Sequence, residues 1–135
     1  MQVHVLRLVP GDDLRVAREA SFAALAREHG LAAACIVSAV GSLSRAVLRY
    51  AAEPAGSETV APLELLMLSG TLSRDGAHLH ASVADAQGAV TGGHLMRGCM
   101  VRTTVEVVIA LLPGWEFRRE LDAATGDKEL VARLN

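Results

Sequence analysis

Aromatic residues make up only 3% of this 135-residue chain, which contains two Phe, one Tyr and one Trp. Proteins that bind single-stranded nucleic acid stack the bases on aromatic side chains, so the composition disfavours that class. Because 51% of the residues are nonetheless hydrophobic, the core must be built from small aliphatic side chains. At this length we expect one domain over residues 1–135, large enough to bury a substantial core.

The chain also lacks an excess of positive charge, long apolar runs and a rich supply of cysteine. Its formal net charge is −2, whereas a DNA-binding domain usually presents a basic face. No apolar run reaches the length of a membrane span, and the first residues do not have the pattern of a signal peptide. The two cysteines, Cys35 and Cys99, stand among apolar residues, which is typical of reduced thiols in a cytosolic protein. We therefore expect a cytoplasmic protein that does not enter a membrane.

The order of the predicted elements indicates an α+β fold. Residues 2–9 have the composition of a strand, and the apolar spacing from Leu14 to His29 predicts an amphipathic helix that ends at Gly30. The remaining segments are mostly strands separated by turn residues, and residues 127–134 are predicted to be a short amphipathic tail. The sequence thus predicts a single compact domain with a central, mainly antiparallel β-sheet and flanking helices.

Three of the five histidines lie in the stretch HLHASVADAQGAVTGGH, which begins at His78. In a strand, His78 and His80 project from one face, about 7 Å apart. The adjacent glycines would let a loop bring His94 close to that strand. Three imidazoles would leave one position of a tetrahedral zinc ion open. A surface or proton-sensitive histidine cluster is the alternative interpretation of the same spacing.

The open position would be filled by water, by a second subunit, or by a carboxylate such as Asp85 or Glu106. Glu106 lies in the apolar run TTVEVVIALL, where a carboxylate needs a partner. It would serve as a general base, or orient a metal-bound histidine, or form an ion pair with Arg102 on the same strand face. Arg97 is a further candidate, for holding an anionic ligand near the metal. Cys99 is favoured as a core thiol rather than a ligand.

Several stretches resemble the PPC domain, the plants and prokaryotes conserved domain. They are LELLMLSGTLS, HLHASVADAQGAVTGGHL and GCMVRTTVEVVI. The resemblance implies a homotrimer with a mainly antiparallel sheet, which binds partner proteins and, in prokaryotic members, carries a histidine cluster that looks like a metal site. Carried over to this chain, that cluster is His78, His80 and His94. Stand-alone prokaryotic members are often named for DNA binding, although in plants an AT-hook grips the minor groove, and its Arg-Gly-Arg-Pro core is missing here.

These observations lead to competing functional hypotheses. The first is a trimeric binding or regulatory module with a zinc-type metal that accepts a protein partner or a small ligand. The alternative is a zinc-dependent enzyme that acts on an unidentified small molecule, with Glu106 as the base. DNA association by the trimer is weakly supported. The sequence contains no P-loop, dinucleotide-binding fingerprint or nucleophile elbow that would favour another activity.

Overall fold

The computed structural model describes residues 2–135, and antiparallel strands dominate it. Its elements are β1 (Gln2–Leu8), α1 (Leu14–His29), β2 (Ala34–Arg49), β3 (Ser57–Ser73), β4 (Gly76–Ala84), β5 (Val90–Leu95), β6 (Met100–Leu111), β7 (Trp115–Leu121) and β8 (Lys128–Leu134). The predicted α+β class with a mainly antiparallel sheet is therefore confirmed. No helix among these residues is long and apolar enough to cross a bilayer.

Three details of the predicted fold are wrong. Only one helix, α1, occurs in the described part of the chain, so the sheet has no set of flanking helices. The segment predicted as a tail is strand β8, which pairs with β7. His94 lies in strand β5 and not in an irregular loop. It is paired with Arg49 of β2 on one side and with His80 of β4 on the other.

Strand β2 organises the main sheet. The strand order is β1-β6-β2-β3-β4-β5, and every pairing between these strands is antiparallel. The end of β2 also pairs with β5, through Leu48 with Leu95 and Arg49 with His94. Because β5 is the far edge strand, this extra pairing makes the sheet curl until β5 meets β2. The curled sheet brings the β4–β5 hairpin beside the end of β2.

Helix α1 begins and ends as the sequence predicts. The Asp13 side chain accepts hydrogen bonds from the backbone N–H groups of Arg15 and Val16, and Gly30 ends the helix in a left-handed conformation with φ 65°. Asp13 also accepts a hydrogen bond from the N–H of Gly98, at 2.7 Å, which ties the helix to the β5–β6 turn. The apolar face buries Leu14, Phe22 and Leu25 in a mainly aliphatic core. Each such side chain contributes roughly 1.5–3 kcal/mol.

The same helix face buries a charge. Arg18 is fully buried, and its three guanidinium nitrogens have no hydrogen-bond partner among the residues that the structure describes. Burial lowers the pKa of Arg18 from its usual value to about 10, against the opposing effect of Asp12. The side chain therefore stays charged at neutral pH, and the burial of this unpaired charge destabilises the folded protein.

We expect Arg18→Met to raise the free energy of unfolding by about 1–4 kcal/mol, because an apolar side chain of similar length removes an unpaired buried charge. Urea denaturation of the purified protein would measure this change. Arg27→Met, on the exposed side of the same helix, is the matched control and should change the value by less than about 0.5 kcal/mol. A decrease in stability for Arg18→Met would contradict the expectation.

Candidate metal centre

The three histidines come from the β4–β5 hairpin. His78 and His80 alternate with Leu79 along β4, so both imidazoles project from the face opposite to this buried leucine. His80 stands directly across from His94 in the β4–β5 register. Directly opposed residues of an antiparallel pair place their side chains on the same face. The local strand geometry therefore brings all three imidazoles together.

Two glycines allow the strands to approach closely at the histidines. A Cβ atom on Gly70 of β3 would lie 1.9 Å from the carbonyl oxygen of His78, and Gly70 has φ 140°. A Cβ atom on Gly93 would lie 2.6 Å from the carbonyl oxygen of Arg49 in β2. Both positions therefore need glycine for steric reasons. Gly93 therefore allows β5 to approach β2. The predicted approach to the strand of His78 and His80 is instead found at Gly92, where a Cβ atom would lie 3.1 Å from the carbonyl oxygen of Ala81 in β4.

The imidazoles form a tight cluster. The ring centroids are 5.0 Å apart for His78 and His80, 5.2 Å for His78 and His94, and 4.4 Å for His80 and His94. The Nε2 atoms of His78 and His80 are separated by 3.2 Å. One ring nitrogen from each histidine lies within 4.8 Å of those of the other two. Each imidazole thus offers a nitrogen to one common point.

This geometry fits a zinc-type ion. Zinc–nitrogen bonds of about 2.0–2.1 Å and a tetrahedral angle place two ligand nitrogens about 3.3 Å apart, close to the distance between His78 and His80. Three neutral imidazoles and one open position are a common donor set for zinc. The same 3.2 Å also suits an N–H···N hydrogen bond between two rings, but such a bond does not require the third imidazole.

A cavity of about 570 Å³ opens over the cluster. Its wall includes four basic and three acidic side chains, contributed by the main sheet, helix α1 and the β7–β8 hairpin. They are Arg15, Arg49, Asp75, Arg119, Asp127, Lys128 and Glu129. A smaller cavity of about 260 Å³ lies beside it, and His78, His80, Arg119 and Glu129 line both. The histidines therefore face a polar recess.

Asp75 attaches the β7–β8 hairpin to this recess. Its carboxylate accepts a hydrogen bond from the N–H of Arg119 at 2.9 Å and lies 3.1 Å from the Nε atom of Arg118. The backbone hydrogen bond from Arg119 is the main reason why the pKa of Asp75 lies below its usual value. Because Asp75 belongs to the β3–β4 turn, the hairpin is held next to the strand that carries His78 and His80.

The surroundings favour neutral imidazoles. Burial is the main cause that lowers the pKa of His78, followed by the positive charge of Arg119, while Glu129 opposes the shift. Burial also lowers the pKa of His94, followed by the charge of Arg49. Only the neutral form of imidazole binds a metal. The lowered pKa values of His78 and His94 therefore keep their ring nitrogens available for a metal ion down to a lower pH than in a free imidazole.

The other predicted site residues lie outside this recess. Glu106 of β6 is opposite Arg7 in β1 and Val40 in β2, on an exposed sheet surface, and it does not line the cavity. Arg102 is exposed on the same strand, and no ion pair joins it to Glu106 among residues 2–135. Arg97 lies 3.4 Å from Glu19 and faces a neighbouring cavity.

The remaining candidate ligands are engaged elsewhere. The carboxylate of Asp85 accepts hydrogen bonds from the N–H groups of Gln87 and Ala89 in the β4–β5 turn. Cys99 is buried and hydrogen-bonds with the backbone of Val47, and burial raises the pKa of its thiol. Cys99 is thus a core thiol, as the sequence predicts. The group that could hold a metal ion in the described part of the chain consists of the three histidines.

Sequence reasoning missed the charged residues of the β7–β8 hairpin. Arg119 and Glu129 are at least 25 positions from each of the histidines in the sequence, and only the packing of the hairpin on β3 and β4 brings them together. The mixture of charged and apolar residues in WEFRREL and KELVARL was the one available signal for the hairpin. That pattern does not specify which surface the hairpin covers.

The fold and the site define a class: a curled antiparallel sheet with one helix and a three-histidine cluster suited to a metal. The sequence profile of the Plants and Prokaryotes Conserved (PCC, or PPC) domain matches residues 1–113, and the chain belongs to this family. It is 47% identical over 130 residues to the bifunctional protein GlmU of Synechococcus sp. strain JA-2-3B'a(2-13). The match covers 96% of this chain and 20% of that protein, so the chain spans about a fifth of this curated relative.

Solved structures share the whole fold. A hypothetical protein from Salmonella has a TM-score of 0.89 and 38% identity, with 99% of this chain and 94% of that chain covered. The metal-containing protein AF0104 of Archaeoglobus fulgidus has a TM-score of 0.76 and 31% identity, with 97% and 94% covered. A structure from Ralstonia eutropha JMP134 that is named for DNA binding has a TM-score of 0.71 at 21% identity, over 97% and 90%, and shows likeness of fold alone.

Proposed function

We propose that this chain is a metal-binding PPC-domain module in which His78, His80 and His94 hold a zinc-type ion. The observation that carries the proposal is the convergence of three imidazole nitrogens within 4.8 Å in a polar recess. A zinc ion would act there as a Lewis acid with one coordination position open to a ligand. The metal-containing relative from Archaeoglobus supports a metal in this fold. Binding or regulation through that open position is the function that the site supports best.

Metal titration of the untagged, metal-free protein tests the proposal. We expect zinc or cobalt(II) to bind with a stoichiometry of one ion per chain, and cobalt to give the intense visible absorption of a four-coordinate site. Absence of stoichiometric binding by both ions would refute the metal site. The histidines would then be a hydrogen-bonded, proton-sensitive cluster.

We further propose that the module is a homotrimer, located in the cytoplasm. One surface of the sheet exposes large apolar side chains on β1, β2 and β3: Val5, Val37, Val40, Leu66 and Met67. Val5 is 67% and Val40 51% exposed, which is unfavourable unless another surface covers them. Arg7 and Glu106 lie in register with Val40, and because β6 separates β1 from β2, they would place charged groups within this interface. The absence of a disulfide between Cys35 and Cys99 is compatible with a reducing compartment.

Light scattering should give three times the 14.2 kDa mass of the chain. Val40→Arg should reduce this mass to that of the single chain, because it places a charge in the centre of the proposed interface. Val90→Arg, which also changes an exposed valine but at the start of β5, should leave the trimer intact. A wild-type protein that is monomeric at micromolar concentration would refute the trimer.

A zinc-dependent enzyme is the second candidate, and one observation favours it. Glu129 lines both cavities that His78 and His80 line, so a carboxylate shares the recess with these histidines. It would take the role of general base for which the sequence suggested Glu106. A carboxylate there would accept a proton from a nucleophilic water. Hydrolysis of a small ester that is lost in Glu129→Gln, with metal content unchanged, would favour the enzyme over the binding module.

A further inference from the structure

Two arginines of the recess are oriented by hydrogen bonds to main-chain carbonyl oxygens, and no carboxylate compensates their charge. Arg49 of β2 donates from Nη1 to the carbonyl oxygen of Glu53 at 3.2 Å, and Arg119 of β7 donates from Nη2 to that of Lys128 at 2.6 Å. Neither guanidinium has a carboxylate within 4.0 Å in the described part of the chain. Each therefore has N–H groups left for a further acceptor.

Other arginines of the chain behave differently. Arg133, on the same hairpin as Arg119, lies 3.1 Å from the carboxylate of Glu120, and Arg45 lies 2.8 Å from that of Glu58. Their charges are compensated within the chain. An arginine held by a main-chain carbonyl keeps its full charge, and the remaining N–H groups of its planar guanidinium suit an external carboxylate or phosphate.

The charge balance of the recess also favours an anion. Arg15 is paired with Glu19 at 3.0 Å and Asp75 is paired with Arg118, so these groups contribute little net charge. The basic groups that remain in the wall are Arg49, Arg119 and Lys128, and the acidic groups are Asp127 and Glu129. Basic groups thus exceed acidic groups by one, and a divalent ion on the histidines would raise the excess to three.

We infer that the recess binds a small molecule through an oxyanion group, a carboxylate or a phosphate, which Arg49 and Arg119 hold beside the histidines. This rests on the proposed metal-binding function in that it names the ligand class for the same site. The two guanidinium groups reach the recess from separate elements, the end of β2 and the β7–β8 hairpin, so they contact an oxyanion from different directions. Arg119 lies beyond residues 1–113, and family membership therefore does not by itself imply this arrangement.

Calorimetric titration with two probes, inorganic phosphate and succinate, tests the inference. The titrations use the full chain with and without bound metal. We expect binding of at least one probe, and a reduction in affinity of about tenfold or more in Arg49→Gln and in Arg119→Gln, as expected for the loss of a charge-assisted hydrogen bond. Arg133→Gln is the matched control and should bind the probe as the wild type does. A preference for phosphate or for succinate identifies which oxyanion the ligand carries.

The outcomes separate this inference from the proposed metal function. If the protein binds metal but neither probe, or if both glutamine variants bind the probe as tightly as the wild type, the anion site is refuted and the metal site stands. If the protein binds no metal but its phosphate or succinate affinity falls in the two variants, the anion site stands and the metal proposal fails. Absence of both kinds of binding overturns both.

Discussion

Replacing His78 and His80 together with alanine should eliminate stoichiometric metal binding and lower zinc affinity by more than about a hundredfold. Loss of groups that merely orient a ligand already costs about 10–100-fold in many sites, and this variant removes two of the three ligands themselves. Only His94 would remain, and a single imidazole does not retain zinc against a chelator. Metal content per chain and competition with a chromogenic chelator would measure the effect.

The variant should stay folded, because neither imidazole belongs to the hydrophobic core and His80 is exposed. Circular dichroism and urea denaturation would verify this. His29→Ala changes an exposed histidine at the end of α1 and is the matched control, with wild-type metal content expected. Full metal occupancy in the double variant would exclude His78 and His80 as ligands.

Gly70→Ala should destabilise the protein by more than about 3 kcal/mol, which is a large fraction of the stability of a typical domain. The new methyl group would lie 1.9 Å from the carbonyl oxygen of His78, and that oxygen is backbone that cannot rotate away. With φ 140°, position 70 is unfavourable for any residue with a Cβ atom. The strands β3 and β4 would have to separate at this point, and His78 would move with them.

Urea denaturation would measure the loss of stability, and metal titration of the folded fraction would measure the displacement of His78. Gly88→Ala is the control, since Gly88 has φ 78° but open space around its Cβ position. It should cost only about 1–2 kcal/mol, the penalty of a left-handed backbone conformation alone. Equal stabilities for Gly70→Ala and Gly88→Ala would show that the sheet accommodates the methyl group and that the close approach is unimportant.

Local patterns predicted local structure well. Asp13 and Gly30 mark the ends of α1 because capping depends on hydrogen bonds and backbone angles of a few neighbouring residues. Alternation along β4 predicted that His78 and His80 share a face, since that depends only on the strand period. The location of His94 next to His80 was inferred from the glycines, and the structure places it there through strand pairing and not through a loop.

Non-local packing explains what could not be predicted. No local signal indicates that β2 pairs with β5, and without this pairing the position of Arg49 beside His94 is unknown. The β7–β8 hairpin likewise reaches the recess through Asp75, a residue of a distant turn. Glu106 was an attractive base because it interrupts an apolar strand, but the face on which it lies is exposed to solvent. Whether a strand face is covered depends on the rest of the fold.

The position of β1 in the sheet has a consequence for biosynthesis. This strand, near the start of the sequence, pairs only with β6, and its residue Gln2 is opposite Leu111. At about 5–20 residues per second, a ribosome needs several seconds to make the intervening chain. During that time β1 and β2 both lack β6, and their edges are open to other chains. Co-translational folding of this protein should therefore be late and cooperative, and nascent chains that stall before β6 should be substrates for chaperones.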